Sequence, residues 1–306
     1  MANLSKQDDN KSKYPNSVFD YLYNSQKLFL ITDMISNASF WILAKYYELE
    51  TKLDESNSRY ELTHSVDAIY KFLWDNYADW YIEYLKTDTD QIHFAKELFK
   101  QFIITASPYC PFETEALWQN FFGEKTLLAQ TVKDFEWTAK AFSIHFGIND
   151  LESLTKDKRY VEFQTVVDFV QNLRSTRGLF AIDPANLIQI YTTDNDLLKY
   201  ADFIKMIAKT ELLNENRTDL YTVKNNEINY SIDILSYIKD KKVEIARTNK
   251  IIADLQKQIT GQEAKLNNPK FVENAEPEVI VETKEAVEKR TAELTEQKAK
   301  LEFLER

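Results

Sequence analysis

The chain has 306 residues, 44% hydrophobic and 13% aromatic, enough for two compact domains and a sizeable core. Four glycines and six prolines argue against a turn-rich all-β fold, and a net charge of -11 argues against a generally basic nucleic-acid-binding protein while leaving room for local basic patches. No run of about 18 apolar residues predicts a membrane span, and the single cysteine, Cys110, excludes an intramolecular disulfide and points to a reducing, cytoplasmic setting.

Residues 1–16 are polar, lack the apolar segment of a signal peptide and read as a disordered lead-in. Residues 17–158 read as an up-and-down bundle of long helices. Residues 17–50 carry Phe19, Leu22, Leu28, Phe29, Ile31 and Ile35, then Trp41, Ile42 and Tyr46, and end at a polar break, Lys52 to Asn57. Residues 63–86 form the strongest helix, with Val66, Ile69, Tyr70, Leu73, Trp74, Tyr77, Tyr81 and Leu85 at i, i+3, i+4 spacing. Asp90 is placed to cap a helix from Gln91 to about Ala106. Ser107 to Pro111 stops that helix, Cys110 reads as a small buried residue, and a further helix from Glu113 to Phe122 follows Pro111.

Residues 159–236 read as a small α/β junction. Its helix, 160–177, carries Val161, Val166, Val167, Val170 and Leu173, with Gly178 as the expected C-cap. Leu187 to Tyr191 is a strand by its β-branched content, Asp194 to Thr210 a short helix, and Leu220–Val223 and Ile228–Ile232 a pair across 224–227. Residues 237–306 hold two heptad series: Ile238, Ile245, Ile252, Ile259 and Leu266, then Ile280, Val287, Leu294 and Leu301. Between them, 267–277 contains two prolines, which cannot sit inside a helix. This pattern predicts an antiparallel coiled-coil hairpin. The expected fold is mainly α: a helical bundle, a small α/β junction and a C-terminal hairpin arm.

Catalytic constellations are missing. His64, His93 and His145 are dispersed and lie in no metal-ligand motif. There is no glycine-rich phosphate loop and no Gly-x-Ser-x-Gly. Asp75 and Asp79 share a helical face, but their surroundings fit plain amphipathicity better than an acid–base pair. No catalytic residue, metal site or cofactor is expected in this chain.

Several stretches, in order, carry a resemblance. Trp41-Ile42-Leu43 looks like a family helix start, and residues 59–72 fit the helix that follows. Trp74-Asp75-Asn76-Tyr77-Ala78-Asp79-Trp80-Tyr81-Ile82-Glu83 resembles the "W-x-x-F-C-D-W-Y-L-E" helix of the valyl-tRNA synthetase anticodon-binding domain. Residues 107–118, from Ser107-Pro108 to Leu117-Trp118, are similar to the family's "H-P-x-x-P-F-I-T-E-E-L-W". Asn172-Leu173-Arg174-Ser175-Thr176-Arg177 with Ile182-Asp183-Pro184 is similar to "x-x-I-R-x-x-x-x-I-x-P", and residues 265–280 resemble the tip of the valyl enzyme's arm. The resemblance covers about residues 20–306. The bundle alone fits several class I synthetases; the arm tip selects the valyl one. Departures are Ala78 for the family's cysteine and Glu113 for its isoleucine, and neither ATP-site signature occurs. The chain therefore looks like a C-terminal piece of a divergent member, with ATP chemistry in the parent only.

The resemblance implies two contacts with tRNA, of the valine isoacceptor: the bundle at the anticodon stem and loop, the arm at the outer corner of the L. Anticodon-side candidates are Lys27 (where the family has Arg), Phe29 (beside Leu28, where the family has Phe), Tyr81 and Glu83, with Arg174 and Arg177 sharing a helical face for phosphates. Arm candidates are Lys239, Lys242, Arg247 and Lys250; the other reading pairs them with Glu285, Glu288, Glu293 and Glu296 of the second arm helix. No DNA or membrane partner is expected, and the chain is expected to be a monomer. A different reading is a non-catalytic scaffold whose arm binds a protein.

Overall fold

The computed structural model describes residues 35–122, 126–127, 151–225 and 228–306. They fall into two compact units, 1–168 and 169–306. The expected lead-in lies outside the described residues, as does the first part of helix 17–50.

The first unit contains α1 (Asn37–Ser58), α2 (Leu62–Lys71), a π-helical stretch (Phe72–Ile82), a 3-10 turn (Thr89–Gln91), α3 (Ile92–Ala106), α4 (Pro111–Phe122) and the short α5 (Leu151–Thr155). It also holds the start of α6 (Lys158–Leu179). Ser36 caps α1 by accepting from the Ser39 backbone N–H (3.1 Å). The polar break expected at Lys52 to Asn57 is helical: α1 runs on to Ser58 because Leu53 and Ser56 are still buried, and the chain turns at Tyr60, whose φ is 59°. Asp90 does not cap α3. Gln91 occupies that position, and its side-chain oxygen accepts from the Ser39 hydroxyl (2.9 Å) and the Ser36 backbone N–H (3.3 Å). Pro111 is the first residue of α4, where its missing N–H costs nothing.

The core of this unit is aromatic. Tyr46 meets Phe72 (ring centroids 5.5 Å), Phe72 meets Phe102 (5.4 Å), Tyr77 meets Phe99 (5.7 Å) and Trp41 meets Phe163 (5.3 Å). Several of the buried polar edges are bonded, as burial favours. The Tyr46 and Thr105 hydroxyls share a bond (2.6 Å), Tyr77 donates to the Ala95 carbonyl (2.7 Å), and the Trp41 indole N–H donates to Gln164 Oε1 (2.8 Å).

The helix expected over 63–86 is not uniform. From Phe72 the ladder widens to the i→i+5 pattern, and the apolar stripe shifts with it. Ser65, Ile69 and Phe72 are buried at steps of four and three; the next buried position, Tyr77, lies five on. Val66, Tyr70 and Trp74, expected in the core, are exposed together with Leu62.

In the second unit α6 runs through Gly178 to Leu179, and the left-handed residue that ends the turn is Ala181 (φ 52°), not the glycine. Strand β1 (Ile188–Thr192) leads to helices α7 (Asn195–Lys199) and α8 (Ala201–Ala208), then to β2 (Thr210–Asn214). The single helix expected over 194–210 is thus two helices, followed by a strand not expected. β2 lies parallel to β1, and the hairpin β3 (Tyr221–Asn225) and β4 (Ile228–Ile232) joins on β1's other side, giving the order β2-β1-β4-β3.

The arm consists of α9 (Lys241–Leu266), a short α10 (Pro269–Asn274) and α11 (Pro277–Glu305). Asp240 caps α9, accepting from the Lys242 and Val243 N–H groups (2.9 and 3.1 Å), so Ile238 lies before the helix and not in it. Lys300 pairs with Glu244 near one end of the hairpin, and Arg290 bonds Gln258 (2.9 Å) and Gln262 (3.1 Å) further along. The two long helices are therefore antiparallel. Residues Ile252 and Ile259 are buried in the seam as expected, and Leu255 is buried with them. The alternate seam positions hold Leu255 and Leu304 but otherwise Thr248, Gln262, Thr283, Arg290 and Gln297, so this second layer of the seam is mostly polar.

Gly261 sits in exposed mid-α9, and a Cβ there meets nothing within 4 Å. Gly261→Ala is expected to stabilise the arm by about 0.5–1 kcal/mol through helix propensity alone, read as a raised Tm of the helical circular dichroism signal.

Candidate nucleic-acid interface

A surface that holds a folded RNA needs cations accessible to phosphates, and exposed rings or polar groups for unpaired bases. The two units supply these differently.

In the first unit the anticodon-side candidates separate by burial. Lys27 and Phe29 lie outside the described residues. Tyr81 is not at the surface: it is fully buried and its hydroxyl bonds that of Ser39 (2.7 Å). Burial raises its hydroxyl well above the ordinary phenol value, as it does for Tyr77 and Tyr84, so these groups stay protonated core donors or acceptors. The assignment of Tyr81 to RNA contact is corrected accordingly: the wider π turn brings it inward against Phe94 (ring centroids 6.4 Å). Glu83 is partly exposed and pairs with Lys86 (2.5 Å), a surface ion pair of little energetic weight.

The sequence reading missed the exposed rings. Tyr70 and Trp74 stack nearly parallel, 10° apart at 6.3 Å, and both are more than half exposed. They continue a line of Leu62 and Val66 at steps of four. Asp67 and Asp75 flank this line, so it suits an uncharged flat face better than a phosphate. Tyr60 is 91% exposed and Phe112 85% exposed. The available signal was an excess: residues 62–85 hold more apolar side chains than one stripe can bury.

Cys110 is half-buried, and its thiol donates to the Ala106 carbonyl (3.4 Å). Burial, and then Glu113, push it up, which keeps it a thiol and not a nucleophile. Among the described residues no cluster of His, Cys, Asp or Glu could hold a metal ion, and no helix is long and apolar enough to cross a membrane.

In the second unit Arg174 is exposed on α6, but Arg177, three residues on, is buried. Its guanidinium collects backbone carbonyls: Nη1 donates to Asp183 (3.2 Å) and Pro184 (3.3 Å), Nη2 to Asn186 (3.1 Å), Ala208 (2.9 Å) and Lys209 (2.9 Å). Burial lowers its pKa, with Tyr237 and Asp183 acting in the opposite sense. The expected phosphate contact at Arg177 is therefore corrected. Its fork is occupied in joining the loop after α6 to the α8–β2 junction, where Lys209 itself sits at φ 48°.

On the arm, Lys239, Lys242, Arg247 and Lys250 are all exposed. The pairing with Glu285, Glu288, Glu293 and Glu296 is not formed. Arg247 approaches Glu244 of its own helix (3.8 Å), and Lys239, Lys242 and Lys250 make no ion pair among the described residues. The two arm helices also differ in sign. α9 holds six lysines and arginines against three acids, and α11 five against eight.

Comparison with known proteins fits this division. The family model described as the anticodon-binding domain of tRNA ligase matches residues 39–192. The model described as the valyl tRNA synthetase tRNA binding arm matches residues 240–304. Among similar curated proteins, the valine–tRNA ligase of Zymomonas mobilis is 24% identical over 287 residues, covering 86% of this chain and 30% of that protein. That of Legionella pneumophila (strain Lens) is 27% identical over 272 residues, covering 82% and 28%. That of Thermotoga maritima is 25% identical over 257 residues, covering 80% and 28%. The chain thus spans less than a third of the length of the relatives it matches.

Two substitutions distinguish core from surface. Tyr81→Phe is expected to lower stability to urea by about 1 kcal/mol, the net worth of one buried hydrogen bond. Arg177→Met leaves several buried carbonyls without a donor and is expected to lose at least about 3 kcal/mol in the same denaturation measurement.

Proposed function

The chain belongs to the anticodon-binding domain family of the tRNA ligases and carries the valyl type of tRNA-binding arm, and from that premise we propose how it engages tRNA. The helical unit takes the anticodon stem and loop, and the arm takes the outer corner where the D and T loops meet. The tRNA is the valine isoacceptor, as the names of the relatives imply. Valine activation and transfer lie outside these 306 residues; the chain binds as a monomer, in the cytoplasm, and contributes recognition.

One observation carries the reading. The first arm helix is basic, and its exposed lysines make no ion pair among the described residues although the second helix has an excess of acids. A hairpin built only to zip up gains nothing from that separation. A hairpin laid against a phosphate ridge needs one positive face. Lys239, Lys242, Arg247 and Lys250 form that face; Arg174, Glu83, Lys27 and Phe29 remain the proposed contacts toward the anticodon arm.

The test is a titration of the whole chain with tRNA bearing the valine anticodon, and with the same tRNA carrying a changed anticodon, across a salt series. Salt-sensitive binding that weakens when the anticodon is changed is expected. Equal binding of both would leave only the corner contact, and no salt-sensitive binding would favour a protein-binding scaffold. Lys242→Ala and Lys250→Ala should each flatten the log–log salt slope by about 1 and weaken both tRNAs alike.

A further inference from the structure

The hairpin joins the four-stranded unit at a buried cation. Lys300 of α11 is 1% exposed. Its ammonium donates to the Leu179 carbonyl at the end of α6 and to Glu244 Oε1 of α9 (2.6 Å), and stands over the Phe180 ring, 5.4 Å from its centre. One side chain thus gathers the end of α6, the residue after it and the opposite arm helix. A turn away on α11, Phe303 closes a triangle of rings with Tyr221 (4.9 Å) and Phe180 (6.2 Å), while Phe180 and Tyr221 meet at 4.9 Å. Leu304 beside it is fully buried.

We propose that Lys300 and Glu244 are positioning residues that fix the direction in which the arm leaves the four-stranded unit, and through it the reach of the arm toward tRNA. The second half of this inference rests on the tRNA-binding reading above. The physical reason is directional. An apolar side chain at position 300 could fill the same space, and a buried ion pair is a poor device for stability alone. Apolar packing tolerates sliding of one helix over its neighbours. An ammonium out of water does not, because its N–H groups need acceptors at set places, here one carbonyl and one carboxylate from separate segments. Glu244 stands between Lys242 and Arg247, so the pair sits at the base of the proposed phosphate-binding face; a small rotation there re-aims that face and grows into a larger displacement toward the tip of a rod that rises about 1.5 Å per residue.

The experiment places spin labels at Asn195→Cys, on the sheet side, and Glu273→Cys, near the arm tip, in a Cys110→Ser background, and measures the inter-label distance distribution. The parent should give a narrow distribution. Lys300→Met should broaden it several-fold with helical circular dichroism unchanged. The affinity for tRNA should fall about tenfold, as expected when a tenth of the molecules hold the competent direction, while the salt slope stays the same because no phosphate contact is lost. A distribution as narrow as the parent's, whatever the change in Tm, would overturn the proposal and leave Lys300 a stabilising residue only. If Lys300→Met fails to fold, Glu244→Gln is read instead, since it keeps the Leu179 contact; partial broadening supports the proposal and an unchanged distribution overturns it. Absence of tRNA binding by the parent would defeat the tRNA-binding reading and the reach claimed here, while the distances would still decide whether the pair sets the arm's direction.

Discussion

An ammonium group removed from water must be met by fixed acceptors, and the second unit is arranged around that requirement at Lys300. Desolvating such an ion costs several kcal/mol, so the Leu179 carbonyl and the Glu244 carboxylate have to be in place whenever the arm is docked. The same logic governs Arg177 at the other side of α6's end. There a guanidinium satisfies five carbonyls drawn from the loop after α6 and the α8–β2 junction. Two buried cations, each read by backbone, do for this small sheet what a larger apolar core does elsewhere. With only four five-residue strands, apolar burial has little room to specify the approach of helix to sheet.

The first unit solves its packing by other means. Its interior is filled by rings, and the buried tyrosine hydroxyls are bonded to neighbours, Tyr46 to Thr105, Tyr77 to Ala95, Tyr81 to Ser39. The π-helical turns between Phe72 and Ile82 rotate the sequence's apolar surplus, so that Tyr77 and Tyr81 enter the core while Tyr70 and Trp74 are left stacked outside it. The family match extends over this stretch.

The arm was legible because its signal is local. A seven-residue repeat of Ile, Val and Leu and two prolines suffice to announce a hairpin. The intervening layer was not, since Thr248, Gln262, Arg290 and Gln297 carry no hydrophobic mark. β2 was missed for a related reason: Thr210 to Asn214 has little β propensity of its own, and its strand state comes from parallel pairing with β1, a non-local interaction. Tyr81 and Arg177 show a further limit. The resemblance offered Tyr81 as a contact although its spacing set it on the apolar stripe, and i, i+3 spacing grouped Arg177 with Arg174; burial depends on a widened turn in one case and on carbonyls up to 32 positions away in the other. Lys300 looked like any other lysine of a charged helix. Its role depends on Leu179, 121 positions earlier. The family resemblance reached the function where periodicity could not, because it reads the order of motifs and not the packing of any one.

The turn between the long arm helices has one more effect. Pro269 and Pro277 each open a helix, a place where a residue without an N–H is harmless. Were the hairpin to straighten into a single continuous rod, the same two prolines would fall in its interior, each breaking the hydrogen-bond ladder at a penalty of about 3 kcal/mol or more. Opening into such a rod is the route by which two hairpins trade halves and entangle. The corner therefore guards the individuality of each molecule as well as its shape.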